Sequence, residues 1–265
     1  MNPAQSSEYV AVFLTLLFLA VAAISDLKTR EVTDKVWLVY GPIGLALTVY
    51  RTYIDPSLLI LTAVSIGFSV LVAFALVFFG LSGGADAKAL ICLGLTLPLP
   101  PGIISPILGY FHPFFPIVVL ITGYICSFSV AVWMVGKNLM LLTRVKSRMF
   151  EGLEHEPRWK KALAFITGFP TGLAQLQSTF YLYPMEKIVE DKDGAHRTLQ
   201  TFASADVDRQ EVLSKFSESL RKVGSPQTVW VTPGLPMLAF ILFAVVITLI
   251  LGDPVFAGIF PLLSR

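Results

Sequence analysis

Two carboxylates stand where a strongly apolar chain has least use for charge. Asp26 closes the first long hydrophobic run and Asp86 opens a later one. Ionisable groups at membrane depth are costly to keep, so their presence points to function. Two carboxyl groups brought together share a proton. An acid beside a base is the minimal equipment for splitting a peptide bond with water. Asp26 is followed four residues later by Arg30, the spacing that sets a cation on the same helical face. Asp86 sits in Leu81-Ser-Gly-Gly-Ala-Asp-Ala-Lys88, where Gly83 and Gly84 let the backbone bend sharply and approach another chain. A third segment, Pro233-Gly234-Leu235-Pro236, resists regular helix and leaves carbonyl and amide groups with which an extended substrate can pair. Each has a plainer reading when taken singly: a polar collar at a membrane surface, a helix N-cap, a proline helix start.

The elements that must position these residues are membrane helices. The chain has 265 residues, 55% hydrophobic and 14% charged, with a mean hydropathy of +0.72. Soluble domains carry about a quarter charged residues. A helical crossing takes about twenty apolar residues, and six candidates occur at 8–26, 35–53, 57–80, 86–107, 114–141 and 233–251. In the fourth, Pro98, Pro100, Pro101 and Pro106 end the helix near Leu97 and leave an irregular loop through Pro116. Residues Met1–Glu8 carry no basic group, so the first run reads as a retained span and not a cleaved leader.

Lysine and arginine give the orientation. Lys28, Arg30, Lys35, Lys88 and the many basic residues from Lys137 to Lys222 fall on one side, and Arg51 and Arg265 on the other. This puts the N-terminus outside and the segment from Lys137 to Val229 in the cytoplasm of a multi-pass plasma-membrane protein. Parity then sets Asp26 and Asp86 at the same cytoplasmic face. Asp34 and Asp55 read as helix-start residues, and Lys88 either snorkels to headgroups or tunes Asp86. The expected domains are 1–141, holding helices one to five and both aspartates, a cytoplasmic insert at 142–229, and 230–265 with helix six. Within the insert, Phe180–Val189 and Arg197–Phe202 read as strands about a turn at Glu190–Gly194. Val207–Val223 reads as an amphipathic helix with Val212, Phe216 and Leu220 on one face. The apolar tail from Gly252 to Arg265 reads as interfacial. The fold class is thus membrane all-α: six transmembrane helices with a small α+β domain inserted between helices five and six. Cys92 and Cys126 lie in apolar runs, and His112, His155 and His196 are isolated, so neither metal nor disulfide is expected.

Asp26 with Arg30, Val32 and Trp37, followed by Gly-Gly-Ala-Asp-Ala-Lys at 83–88, resembles the archaeal preflagellin peptidases. These belong with the type IV prepilin peptidases and share a mechanism with the GxGD intramembrane aspartyl proteases. Ala85 stands where the strict motif has glycine. Pro233-Gly-Leu-Pro236 is similar to the Pro-Ala-Leu element of presenilins. The resemblance implies that Asp26 and Asp86 are catalytic and that Gly83, Gly84, Pro233, Gly234, Leu235 and Pro236 contact substrate. It also implies that preflagellins and prepilin-like precursors are cut at the cytoplasmic boundary of a short basic signal peptide. No cofactor and no nucleic-acid partner are expected. The cysteine-rich domain of the bacterial enzymes has no counterpart here, which argues against N-methylation. The competing reading is a proton-coupled transporter that relays ions through the two acids.

Overall fold

The computed structural model describes residues 3–145, 149–191, 194–200, 209–223, 228–255 and 257–258. Its first helices are α1 (Pro3–Thr29), α2 (Asp34–Ile54), α3 (Leu59–Phe78), α4 (Gly84–Thr96) and α5 (Phe115–Val145). There follow α6 (Arg158–Thr167), β1 (Phe169–Thr171), α7 (Leu173–Ser178), β2 (Leu182–Pro184), β3 (Glu186–Asp191) and β4 (Gly194–Leu199). The chain ends with α8 (Arg209–Val223), β5 (Val229–Pro233) and α9 (Met237–Leu251). It divides into two compact units, Met1–Ser127 with Pro236–Arg265, and Phe128–Leu235.

The first unit is built from the apolar runs. Pro3–Thr29, Pro56–Phe78 and Phe115–Thr143 are long and apolar enough to cross a membrane. Its surface is the reverse of a soluble protein's. Leu38, Leu71, Phe74 and Phe78 are exposed, while Thr15, Ser65, Ser69 and Thr96 are fully buried. That distribution suits a hydrocarbon solvent, where helices associate through small residues and interhelical hydrogen bonds. Tyr40 Oη donates to Thr15 Oγ1 at 3.0 Å. A Cβ on Gly44 would collide with Thr96, and one on Gly94 would lie 2.8 Å from Ser69 Cβ, so α2 and α3 both close directly onto α4.

Helix α4 ends at Thr96, as the prolines require, and at about 20 Å it is too short to span the hydrocarbon core. Its carbonyl end needs partners inside the bundle. Arg51 Nη2 donates to Thr96 O and to Thr48 Oγ1 at 2.7 Å, setting a cation where the helix dipole is negative. Ser65 Oγ donates to Pro98 O, and Glu8 Oε2 accepts the Ile103 N–H. Ile107 and Leu108 donate to the last carbonyls of α9. Irregular backbone is thereby satisfied without water.

The second unit, Phe128–Leu235, holds the small sheet region, and its elements differ in detail from those expected of the insert. The strand expected over Phe180–Val189 is two strands, broken at Met185, whose N–H turns to Trp230 O at 2.8 Å. β2 joins a sheet of order β1-β5-β2, while β3 pairs with β4 in a separate hairpin with Ile188 opposite Arg197. β4 begins at Gly194 and ends at Leu199, earlier than expected. Phe202 and Val207 lie outside the described residues, as do parts of the Glu190–Gly194 turn and of the C-terminal tail. The sixth apolar run, expected to start at 233, starts its helix at Met237. The residues before it form β5, the central strand, with Phe169 opposite Val231 and Leu182 opposite Pro233. α8 presents Phe216 and Leu220 to this core, with Val212 half-buried on the same face.

Candidate active site

Asp26 occupies the last turn of α1. The helix stops because Arg30 adopts φ 60°, a left-handed conformation costly for a residue with a Cβ. The reversal is held by local hydrogen bonds: Ser25 Oγ to Glu31 O at 2.7 Å and Thr29 Oγ1 to the same oxygen at 3.0 Å. Arg30 keeps its N–H on Asp26 O at 3.0 Å and pairs with the Asp26 side chain at the expected spacing of four. Nη1 lies 3.9 Å from Oδ1, an ion pair too long for a hydrogen bond. Its Nε and Nη1 are buried with no hydrogen-bond acceptor. A second neighbour was not anticipated. The Leu238 N–H, in the first turn of α9, lies near Asp26. First-turn amides have no partner within their own helix, so they suit an anion; Pro236 just before them was the available signal.

Asp86 is the third residue of α4, with Gly83 and not Asp86 at the N-cap. Its carboxylate turns back to accept Ser82 Oγ at 3.1 Å and the Gly83 N–H at 3.3 Å, both at Oδ2. Helices α1 and α4 pack together, and Asp26 lies within Coulombic reach of Asp86. Both carboxylates thus lie in one unit, each near the start of a helix.

Gly83 is extended, at φ −74°, and Gly84 opens α4, so neither uses a glycine-only conformation. The glycine that does is Gly80, at φ 66°, which ends α3 as Leu81 N–H closes onto Leu76 O at 2.8 Å. Lys88 points away from Asp86 and pairs with Asp34 at 2.6 Å; both are well exposed. Asp34 follows its N-cap, Thr33, whereas Asp55 does cap the turn at Pro56–Leu58 through the Ser57 N–H. Of the proline segment, Pro236 caps α9 in the unit that holds the aspartates, while Pro233, Gly234 and Leu235 belong to the other. The Gly234 amide expected to be free is donated to Tyr181 O at 2.8 Å.

Known proteins resemble this chain over nearly all its length. A family model described as Type IV leader peptidase family matches residues 13–135, which include both aspartates. Another, Archaeal Peptidase A24 C-terminus Type II, matches 160–254. A preflagellin peptidase of Methanococcus voltae is 26% identical over 96% of this chain and 100% of its own. One from Methanocaldococcus jannaschii is 27% identical over 91% and 93%. Along one chain, then, residues 13–135 are similar to the type IV leader peptidase family and 160–254 to the archaeal peptidase A24 C-terminus.

Proposed function

We propose that this protein is a membrane aspartyl endopeptidase with Asp26 and Asp86 as its catalytic pair. Its substrates are preflagellins and related type IV pilin-like precursors, from which it removes the short basic signal peptide at the cytoplasmic face. The observation that supports the reading is the packing of α1 against α4, the helices that carry Asp26 and Asp86. Support comes also from relatives named preflagellin peptidase that align along most of the chain. In the same reading six apolar segments are embedded in the bilayer, with the short α4 completed by the irregular chain that follows it, the N-terminus is outside, and the segment 142–229 is cytoplasmic.

Like charges at close range do not both ionise cheaply, so the pair carries one proton between them. The ionised member takes a proton from a water held at the pair, and that water attacks the scissile carbonyl. The protonated member gives its proton to the carbonyl oxygen, and collapse of the tetrahedral intermediate releases the two peptides. Substrate contact at Gly83, Gly84, Pro233, Gly234, Leu235 and Pro236 belongs to the same proposal. With the Gly234 amide committed within its own sheet, the contact beyond β5 falls to Leu235, which is 47% exposed. The test is processing of a preflagellin in detergent by Asp26→Asn and Asp86→Asn, each shown to be folded. Neither should yield cleaved product, and cutting at the parental rate by either one removes that residue from the pair.

A further inference from the structure

Helix α6 carries an apolar stripe on the face it does not bury. Ala164 is buried and Phe165 packs with it in the core of the second unit, beside Met149, Leu153 and Trp230. On the other face Trp159 is 60% exposed and Ile166 45%, with Ala162 exposed between them. Spacings of three and four set these three on one side of the helix. The helix is tied down at its C-terminal end. Asn138 of α5 is fully buried, and its Nδ2 donates to Phe165 O at 2.7 Å and to Gly168 O at 2.6 Å. Asn138 lies within Phe115–Thr143, a run long and apolar enough to cross a membrane. It stands about 7.5 Å inside the end of that run, at 1.5 Å per residue. Trp133, Leu139 and Met140 of the same stretch are exposed. Lys137 sets its Nζ 5.3 Å from the Trp133 ring and 3.2 Å over the Phe169 ring, the pairing of indole and snorkelling lysine that marks a helix leaving hydrocarbon.

We infer that α6 is a membrane-surface helix. Trp159, Ala162 and Ile166 lie in the headgroup layer where α5 leaves the bilayer, and Arg158 takes an anionic phospholipid headgroup. Continuity is the first argument. Ile166 sits at the end held by Asn138, so the stripe begins beside the apolar surface of α5, and Arg158 stands about 12 Å further along the helix axis. The order along the helix, aliphatic, then aromatic, then cationic, follows the polarity gradient of a bilayer surface. Charge is the second argument. Lys160 pairs with Glu156 at 3.0 Å, and Lys161 Nζ donates to Glu154 O at 2.9 Å. Arg158 is exposed, and among the described residues its side chain has no partner. It also opens the helix, where a cation opposes the dipole. Its charge thus serves no bond within its own fold, and its planar fork matches a phosphate. The inference needs neither aspartate.

The experiment places the full chain in nanodiscs of phosphatidylcholine, with or without phosphatidylglycerol. Tryptophan emission is quenched by phosphatidylcholine brominated high on its acyl chains. Trp37 and Trp230 are buried, so Trp133 and Trp159 give most of the lipid-sensitive signal. Trp159→Phe should remove about half of the emission lost to brominated lipid, with Tm unchanged. Phosphatidylglycerol should raise the docked-to-free ratio of α6 about fivefold, read from Trp159 quenching, and Arg158→Gln should cancel that rise. If Trp159→Phe and the parent lose the same emission to brominated lipid, the inference is overturned. Aqueous iodide then tells which alternative holds: quenching of Trp159 means a helix free in water, and protection means a face covered by protein. A phosphatidylglycerol effect that survives Arg158→Gln overturns the headgroup contact. Cleavage does not enter the readout, so Asp86→Asn should quench as the parent does, and a failure of the acid pair leaves this result standing.

Discussion

Each unit sets a carboxylate beside an arginine away from full exposure, and the two pairs are built differently. In the second unit Glu186 and Arg197 form a two-pronged pair, Nε to Oε2 at 2.7 Å and Nη2 to Oε1 at 2.8 Å. The remaining capacity is filled: Oε1 accepts the Trp230 N–H, Nη2 donates to Thr228 O and Nη1 to Glu151 O. In the first unit Arg30 reaches Asp26 only at 3.9 Å and keeps a buried Nε without an acceptor. The complete pair has nothing left to offer a ligand and ties the β3–β4 hairpin to β5. The incomplete one leaves Arg30 donors unmatched beside the carboxylate. A buried charge that is fully bonded holds a structure, and one left short of partners is kept for chemistry.

The sharpest way to break this comparison is to remove one charge from each unit. Asp86→Asn should cost at least about a thousandfold in cleavage rate and should not lower Tm, since it removes a buried charge. Arg197→Met should do the opposite. Stranding Glu186 in the core costs about 3–5 kcal/mol in unfolding free energy, while the rate per folded molecule stays within a few-fold. Chemical unfolding followed by tryptophan fluorescence reads the second effect, because Trp230 is buried beside the pair. Replacing both partners with apolar residues should recover much of that loss. If Arg197→Met costs under about 1 kcal/mol, completeness of bonding does not mark a structural role.

How much of this was legible follows from what a residue letter carries. Asp26 and Asp86 stood out because an acid inside an apolar run has few uses. Pro98 and Pro100 marked the end of α4 because proline lacks the N–H that a helix needs. The approach of the Leu238 amide to Asp26 was invisible, since every residue but proline has an amide and only the fold brings it near. Glu186 and Arg197 were equally hidden. Their partner amide at Trp230 is 44 residues away, and on an isolated strand each reads as an ordinary polar position. Val229–Pro233 was passed over as the approach to α9 because its neighbours in the sheet, β1 and β2, are three-residue strands too short to show a pattern. Register across a sheet is a long-range property, and short strands carry little of it.

A smaller effect tests whether partial exposure weakens a complete pair. Glu156 Oε1 accepts the Leu199 N–H at 2.6 Å and Oε2 meets Lys160 Nζ at 3.0 Å. Burial opposes the charged form, but Lys160 and the Leu199 amide outweigh it and hold the carboxyl below the usual glutamate range. A depressed folded value means stability that is present above the unfolded value, about 4.3, and lost as pH falls through the folded one. Stability measured by denaturant from neutral pH downward should therefore decline below about pH 4.3. Glu156→Gln should lower the neutral plateau by about 1–3 kcal/mol and flatten the acid slope. An unchanged slope in that variant would place the acid sensitivity elsewhere.

The smallest effect belongs to the ion pair with the shortest distance. Lys88 and Asp34 meet at 2.6 Å, yet their side chains are 47% and 71% exposed. Water screens such a pair and two long side chains lose freedom to form it, so its net worth is about 0–1 kcal/mol. Lys88→Ala should move unfolding by no more than about 0.5 kcal/mol and leave cleavage within about twofold, although Lys88 lies two residues from Asp86 in sequence. The helix explains why: residues two apart face different directions. The assay is kcat and KM on preflagellin at low and high salt. A tenfold loss that salt reproduces in the parental enzyme would show that Lys88 acts on the acid pair through the field, and the line drawn here between bonded and unbonded charge would have to include charges that touch neither aspartate.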